Sequence, residues 1–484
     1  MQLIYKVEDR PKFSQVIVFA LQQLLAIMAA TLVVPVIING SGAMPEGAPA
    51  MSSVAALFGA GVGTIVYLLF TKFKSPVFLG SSFAFIGSMI AAFAGAVSAA
   101  AGYLGMIIGA VLAGLVYVVI AIVVKLVGVK WLNKLMPAVV IGPTVTIIGL
   151  SLAGNAVGDI VTGGLKFDSP IYSVKITEGV PEIVEGFESL PVASPYIALI
   201  CGLITLATVI LCSTFGKKMV RLIPFVLGIL AGYVAAVIFT IVGNVAGIDA
   251  LKVIDFAPLQ ALVADGVTLN TFLTVPDFTF VTALKGVKEI DGSYIATLAA
   301  AYIPVAFVVF AEHIADHKNI SSIIEKDLLE EPGLHRTLLG DGVGSMVGSI
   351  FGGCPNTTYG ESVGCVAITG NASVVTIVAA AVGAILISFL APFVAFVNSI
   401  PSCVMGGVCM ALYGFIAVSG LKMIQKVDLE QNKNLFVVSV ILIAGIGGLA
   451  LTFGEVTITS IACALILGIL ANVMLSGKKD KADE

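Results

Sequence analysis

Apolar runs of about 20 residues recur from one end of the chain to the other, separated by short polar or charged segments. A helix rises about 1.5 Å per residue, so each run matches the hydrocarbon thickness of a bilayer. The pattern predicts fourteen spans, near residues 13–38, 51–71, 77–97, 102–124, 137–156, 193–213 and 220–246, then 294–313, 336–352, 356–370, 372–396, 402–421, 434–451 and 457–476. Two long stretches interrupt the rhythm. Residues 157–192 read as a loop carrying Asp168, Glu178, Glu182, Glu185 and Glu188. Residues 247–293 read as a polar linker with strand-like pieces such as Thr271 to Val281. The expected class is an all-α polytopic membrane protein.

Composition agrees with the pattern. The 484 residues are 58% hydrophobic and 11% charged, whereas soluble chains carry about 25% charge. No soluble catalytic domain fits between the spans. The lipid bilayer is the expected partner, nucleic acid is not, and the net charge of -4 carries no further information. The first run, from about Phe13 to Ile38, is too long for the apolar region of a signal peptide and lacks a small-residue cleavage site. Cys201, Cys212, Cys354, Cys365, Cys403, Cys409 and Cys463 lie in or beside apolar runs without paired spacing, and read as small packing residues. With the N-terminus inside, the 25 basic residues fall in inside-facing segments except Lys166, Lys175, Lys252, Lys285 and Lys288. Inside-facing segments attract Lys and Arg, which predicts cytoplasmic termini.

Seven spans per half place the halves (1–246 and 294–484, joined by 247–293) in opposite orientation. A repeat relating them is therefore inverted, as in many secondary transporters. Each half has one broken span. In the first, Gly80-Ser-Ser-Phe-Ala-Phe85 follows Pro76; in the second, Asn356 to Glu361 follows Pro355. Broken backbone at membrane depth needs partners in protein or in a cavity, and interruptions at corresponding positions point to a midplane binding site.

Three carboxylates stand out, because a charge at bilayer depth costs a few kcal/mol or more. Glu361 lies in the second break, among Tyr359, Gly360 and Ser362, where its carboxylate can accept hydrogen bonds from a planar ligand. Glu312 directly follows the apolar run Tyr302 to Ala311, and Asp316 shares its helix face one turn on. A carboxyl at that depth is suited to exchange a proton. His317 and Lys318 read as the solvated cytoplasmic tip of that helix. In the first break, Ser82 and the Gly80–Phe85 backbone offer hydrogen bonds, and Phe83 offers a ring face. Gln22 and Gln23 either face the site or bond between helices, and Tyr413, after the glycine-rich run Met405 to Cys409, either reaches the ligand or packs. His313 and His317 share a face and admit a metal reading, but the order is not that of a zinc protease helix, so no metal or cofactor is expected.

The signature Glu361-Ser-Val-Gly364-Cys-Val-Ala-Ile-Thr369-Gly370, the preceding Asn356-Thr-Thr-Tyr-Gly360 and the stretch Lys326-Asp-Leu-Leu-Glu-Glu-Pro-Gly-Leu-His335-Arg resemble the nucleobase–ascorbate transporter (nucleobase:cation symporter-2) family, specifically its bacterial uracil permease branch. The signature departs at Ser362, where the family has Asn. The first-span Gln-His pair is Gln22-Gln23 here, and Asp316 stands where the branch often has His. The resemblance implies two inverted seven-span repeats with short strands in spans 3 and 10. It implies a core of spans 1–4 and 8–11, a gate of spans 5–7 and 12–14, and a homodimer. It implies that Glu312 and Glu361 bind a pyrimidine's amide edge, that Phe83 and Gly360 add backbone contacts, that Tyr359 lines the pocket, and that Asp316, or Glu312, couples a proton. The expected activity is import of uracil with H+ across a bacterial inner membrane, not catalysis. Alternatives are a purine such as xanthine or urate, Na+ coupling, an anion carrier of the same architecture, and an intramembrane metalloenzyme.

Overall fold

The structure is a computed structural model that describes residues 3–45, 47–128, 137–177, 180–453 and 456–476. Lys130, Lys134, Glu178, Lys478, Lys479 and Lys481 lie outside the described residues, as do the side chains of Asp168, Glu182, Glu185 and Glu188. Helix falls in each apolar run, and one principal helix per run is numbered: α1 (Phe13–Gly40), α2 (Ser53–Phe70), α3 (Ile86–Ala94), α4 (Ala99–Val127), α5 (Ala138–Ser151), α6 (Pro195–Phe215), α7 (Pro224–Ala246), α8 (Gly292–Ile324), α9 (Leu334–Gly352), α10 (Gly360–Thr369), α11 (Val374–Ile387), α12 (Ser402–Ile424), α13 (Asn432–Ile446) and α14 (Ser460–Ser476). Among the described residues, eight helices are long and apolar enough to cross a membrane.

The chain forms two compact units. The first comprises Met1–Ala153, Thr274–Leu390 and Leu412–Glu484; the second comprises Gly154–Leu273 and Ala391–Ala411. The first unit holds all the candidate site residues. Its centre is the packing of α9 against α2 and α4. Lipid tails give apolar helices little reason to leave the bilayer for one another, so close backbone approach at small residues drives such contacts. Gly59 on α2 shows how close: a Cβ there would sit 2.3 Å from the carbonyl oxygen of Gly348 on α9.

Two three-residue strands cross between the breaks. β1 (Leu79–Ser81) pairs antiparallel with β4 (Asn356–Thr358), in the register Leu79↔Thr358, Gly80↔Thr357, Ser81↔Asn356. The backbone groups that the breaks free from helix thus bond to each other inside protein. Asn356 anchors the pair, its N–H donating to Ser345 Oγ at 2.9 Å and its side-chain amide to the Gly59 carbonyl at 3.1 Å.

Three expectations are corrected. Residues 157–192 are not a loop. A short helix, Ala153–Ile160, extends α5, and β2 (Lys166–Thr177) and β3 (Val180–Pro191) then pair as an antiparallel hairpin in the second unit. Tyr172, Val174, Ile176, Val180, Ile183 and Val184 supply the β-favouring residues. The segment Thr271 to Val281 is not a strand. It runs from a 3-10 turn, Leu269–Thr271, into a short helix, Thr279–Ala283. Pro276 has no N–H for a ladder, and Thr274 N–H bonds instead to the Phe389 carbonyl at 2.9 Å.

The third correction concerns α8. It does not end in water at His317 but continues to Ile324, 33 residues in all, starting where the Asp291 side chain caps the Tyr294 N–H. His317 is fully buried.

Candidate functional site

The site is built where β1 and β4 hand the chain to the short helices α3 and α10. Ser82 N–H donates to the Pro355 carbonyl at 2.8 Å and Tyr359 N–H to the Phe78 carbonyl at 3.2 Å, which extends the strand pair at both ends. α10 starts at Gly360, so Glu361 lies in its first turn, and α3 starts just beyond Phe83. Both helix N-termini present unpaired N–H groups and a partial positive charge. An acceptor-rich ligand held at the break meets these donors.

α8 brings two more carboxylates to the same place. Thr358 of β4 donates its hydroxyl proton to Asp316 Oδ2 at 2.8 Å. A Cβ at Gly360 would lie 3.8 Å from Asp316 Oδ1. Glu312, one turn away on α8, is within electrostatic range of Asp316 and Glu361. Glu312, Asp316, Glu361 and Phe83 are each half-buried and Gly360 is exposed, whereas Asn356 to Tyr359 are buried. The carboxylates therefore border an opening and are not sealed in the core. No cation pairs with any of the three among the described residues. Ligand N–H groups or protons are left as partners.

The remaining predicted residues gather around the same break. Phe83 meets Tyr413 edge-on, with ring centroids 6.2 Å apart. Ser82 is fully buried, and its hydroxyl has no hydrogen-bond partner. Tyr359 holds β1 to β4: its hydroxyl donates to the Ser81 carbonyl at 2.7 Å, and its ring lies where a Cβ of Gly80 would be, 2.3 Å from the nearest ring carbon. Only glycine fits at 80. A cavity of about 620 Å³ runs beside the same stretch of α8, lined by Phe310, Ala311, Ile314, Ala315 and Lys318, by Pro137, Ala138 and Ile141, and by Met423 and Lys426. Among the described residues, no group of three His, Cys, Asp or Glu side chains converges as a metal site requires.

The family model described as the Permease family matches residues 14–453. The uracil permease of Bacillus caldolyticus is 36% identical over 484 residues, covering 99% of this chain and 96% of that one. The uracil permease of Escherichia coli K12 is 32% identical over 465 residues, covering 96% and 92%. The chain belongs to the nucleobase–ascorbate transporter family. It is a multi-pass membrane permease, a transporter and not an enzyme.

Solved structures give the same fold class at low identity. The transmembrane domain of the cyanobacterium bicarbonate transporter BicA matches with a TM-score of 0.52 at 15% identity, covering 97% of this chain and 99% of that one. The murine Slc26a9 anion transporter in its inward-facing state matches with a TM-score of 0.59 at 12% identity, covering 97% and 69%.

The family's signature explains two residues that depart from it. Gln23, where family members have His, donates its amide N–H to the hydroxyl of Ser362, where they have Asn. The Phe78 N–H donates to the same oxygen at 2.9 Å. A donor is still present at 23 and an acceptor at 362, so the two departures form one interhelical contact that ties α1, α10 and the segment leading to β1. That contact also decides Gln23 in favour of bonding between helices.

One cluster was missed. Asp341 on α9 is buried against His313, Nδ1 to Oδ2 at 2.7 Å, while His317 Nε2 meets the Tyr67 hydroxyl at 2.7 Å. The signal was present in the sequence: Asp341 is a lone carboxylate in the run Leu338 to Ile350, and the cost that singles out Glu361 applies to it equally.

Proposed function

We propose that this permease imports uracil by proton symport through alternating access in a bacterial inner membrane. Uracil offers two N–H donors and two carbonyl acceptors on a flat ring. The grouping of Glu312, Asp316 and Glu361 at the open end of the β1–β4 pair, with no cation beside them, carries this reading. The uracil permeases at 32–36% identity over nearly the full length support the substrate.

In this reading Glu361 and Glu312 accept the two N–H groups. N–H groups at the starts of α10 and α3, from Gly360 and the Phe83 region, donate to the carbonyls. The Phe83 ring covers one face, with Tyr413 behind it, and Ser82 supplies a further hydroxyl. Tyr359 sets the spacing of the strands and acts as the pocket's support. A proton taken up at Asp316 or Glu312 on the outer side lowers the charge that must reorient. Its release inside frees uracil.

The fourteen spans form two inverted seven-span repeats, residues 1–246 and 294–484, joined by 247–293. Spans 1–4 and 8–11 form the core that carries the substrate, and spans 5–7 and 12–14 form the gate. Both termini are cytoplasmic, and two copies form a homodimer.

A competition panel tests the substrate. Unlabelled uracil is expected to displace labelled uracil at least about tenfold more effectively than thymine, xanthine or urate, because a site built for one hydrogen-bond pattern rejects others strongly. Displacement by xanthine or urate at lower concentration than uracil would transfer the reading to a purine carrier.

A further inference from the structure

Next to the carboxylates, a second stripe of α8 carries a different chemistry. Ala311, Ile314, Ala315 and Lys318 recur at helical spacing and line the cavity of about 620 Å³. Glu312 and Asp316 lie about 100° further round the helix and form no part of its wall. The cavity is graded along its length. From Phe310 to Lys318, α8 rises about 12 Å. Phe310 is buried, whereas Lys318 and Lys426 are exposed, and Lys426 stands just beyond the end of α12 at Ile424. These two lysines are the polar side chains of the lining; Ile141, Met423 and the others are apolar. Neither lysine pairs with a carboxylate among the described residues. One end of the cavity is therefore apolar and lies within the span, and the other is cationic and lies at the span's edge.

Uracil fits this lining poorly. A lysine ammonium donates hydrogen bonds and accepts none, so both uracil N–H groups would lack partners. Water alone fits poorly as well, because an apolar wall gives it nothing to bond. The complement of both ends is an anion on an apolar tail. A phosphate diester answers two ammonium groups through charge-assisted hydrogen bonds, and an acyl chain answers the apolar wall. The cytoplasmic leaflet supplies such molecules, and basic pockets between membrane helices on that side receive their headgroups.

We propose that this cavity binds one anionic phospholipid, its phosphate between Lys318 and Lys426 and one acyl chain along α8 toward Phe310. The lipid bridges α8 to the start of α5 and the end of α12, which supply the rest of the wall. The choice of leaflet rests on the proposed orientation with both termini cytoplasmic; the binding itself rests on the cavity.

The test follows thermal unfolding of the purified full-length protein in detergent, titrated with dioctanoyl phosphatidylglycerol. A ligand that binds the folded state alone raises its stability as its concentration rises. Wild type is expected to be stabilised, and Lys318→Gln/Lys426→Gln to need at least about tenfold more lipid for the same shift. Ala315→Phe keeps both charges but fills the wall, and is expected to show the same loss. Lys125→Gln/Lys422→Gln removes two exposed lysines that do not line the cavity, and is expected to titrate as wild type. Equal shifts in wild type and Lys318→Gln/Lys426→Gln would overturn the proposal. So would an equal shift from dioctanoyl phosphatidylcholine, which marks a chain site indifferent to net charge, or from glycerol phosphate, which marks a site for soluble anions. Uracil is titrated on the same samples. A lipid shift without a uracil shift supports the lipid site and counts against the proposed substrate, so the two readings fail separately.

Discussion

Glu361→Ala is expected to abolish concentrative uracil uptake while the protein still reaches the membrane in normal amount. The substitution leaves a good helix former in the first turn of α10, and no ion pair is broken, because Glu361 has none among the described residues. On the proposed function, what is lost is the acceptor for a uracil N–H. A hydrogen bond to a charged group contributes about 1.5–3 kcal/mol, so affinity falls on the order of 10- to 100-fold from the bond alone. The donors at the starts of α3 and α10 remain without the ligand pose that used them, which adds to the loss in transport. Glu361→Gln keeps one acceptor oxygen and is expected to retain more binding than the alanine variant. Labelled uptake in cells, with membrane abundance measured on the same samples, reads both. Uptake by Glu361→Ala at the wild-type rate would remove Glu361 from the site.

Asp316→Asn separates carrying uracil from carrying a proton. Asn has nearly the same shape, and its side-chain oxygen still accepts the Thr358 hydroxyl proton now given to Asp316 Oδ2 at 2.8 Å. The contact between α8 and β4 is therefore kept, while the carboxyl proposed to exchange a proton is gone. Exchange of labelled for unlabelled uracil at equal pH is expected to persist, and accumulation driven by a pH gradient is expected to fall at least about tenfold. An unchanged response to the gradient would move proton coupling off Asp316.

Much of this site was legible because lipid makes polar residues conspicuous. Gly80 to Phe85 and Pro355 to Glu361 stand out against apolar runs, and so do Glu312 and Asp316. What the pattern could not show was contact. It placed a short strand in each break through the family likeness, but not the register that sets Gly80 against Thr357, nor the Tyr359 ring over Gly80. Sequence says that Tyr359 is near the break; only packing says that its hydroxyl goes to Ser81. His317 was misread for the same reason. A histidine beside Lys318 looks like a solvated helix tip until α2 is seen to cover it through Tyr67. The hairpin at 166–191 was hidden because Pro170, Pro181 and Gly186 interrupt its alternation. Ser362 and Gln23 each looked like an isolated departure, and the structure makes them one bond.

On the proposed function, protons drive uracil into the cell through the pocket at this strand break. Purified wild-type protein in proteoliposomes, given labelled uracil under an imposed pH gradient, an imposed Na+ gradient or neither, tests it most directly. Proton symport requires accumulation above the external concentration only with the acid side outside, collapsing when a protonophore is added. Accumulation driven by Na+ at equal pH, or none under a pH gradient, would contradict it.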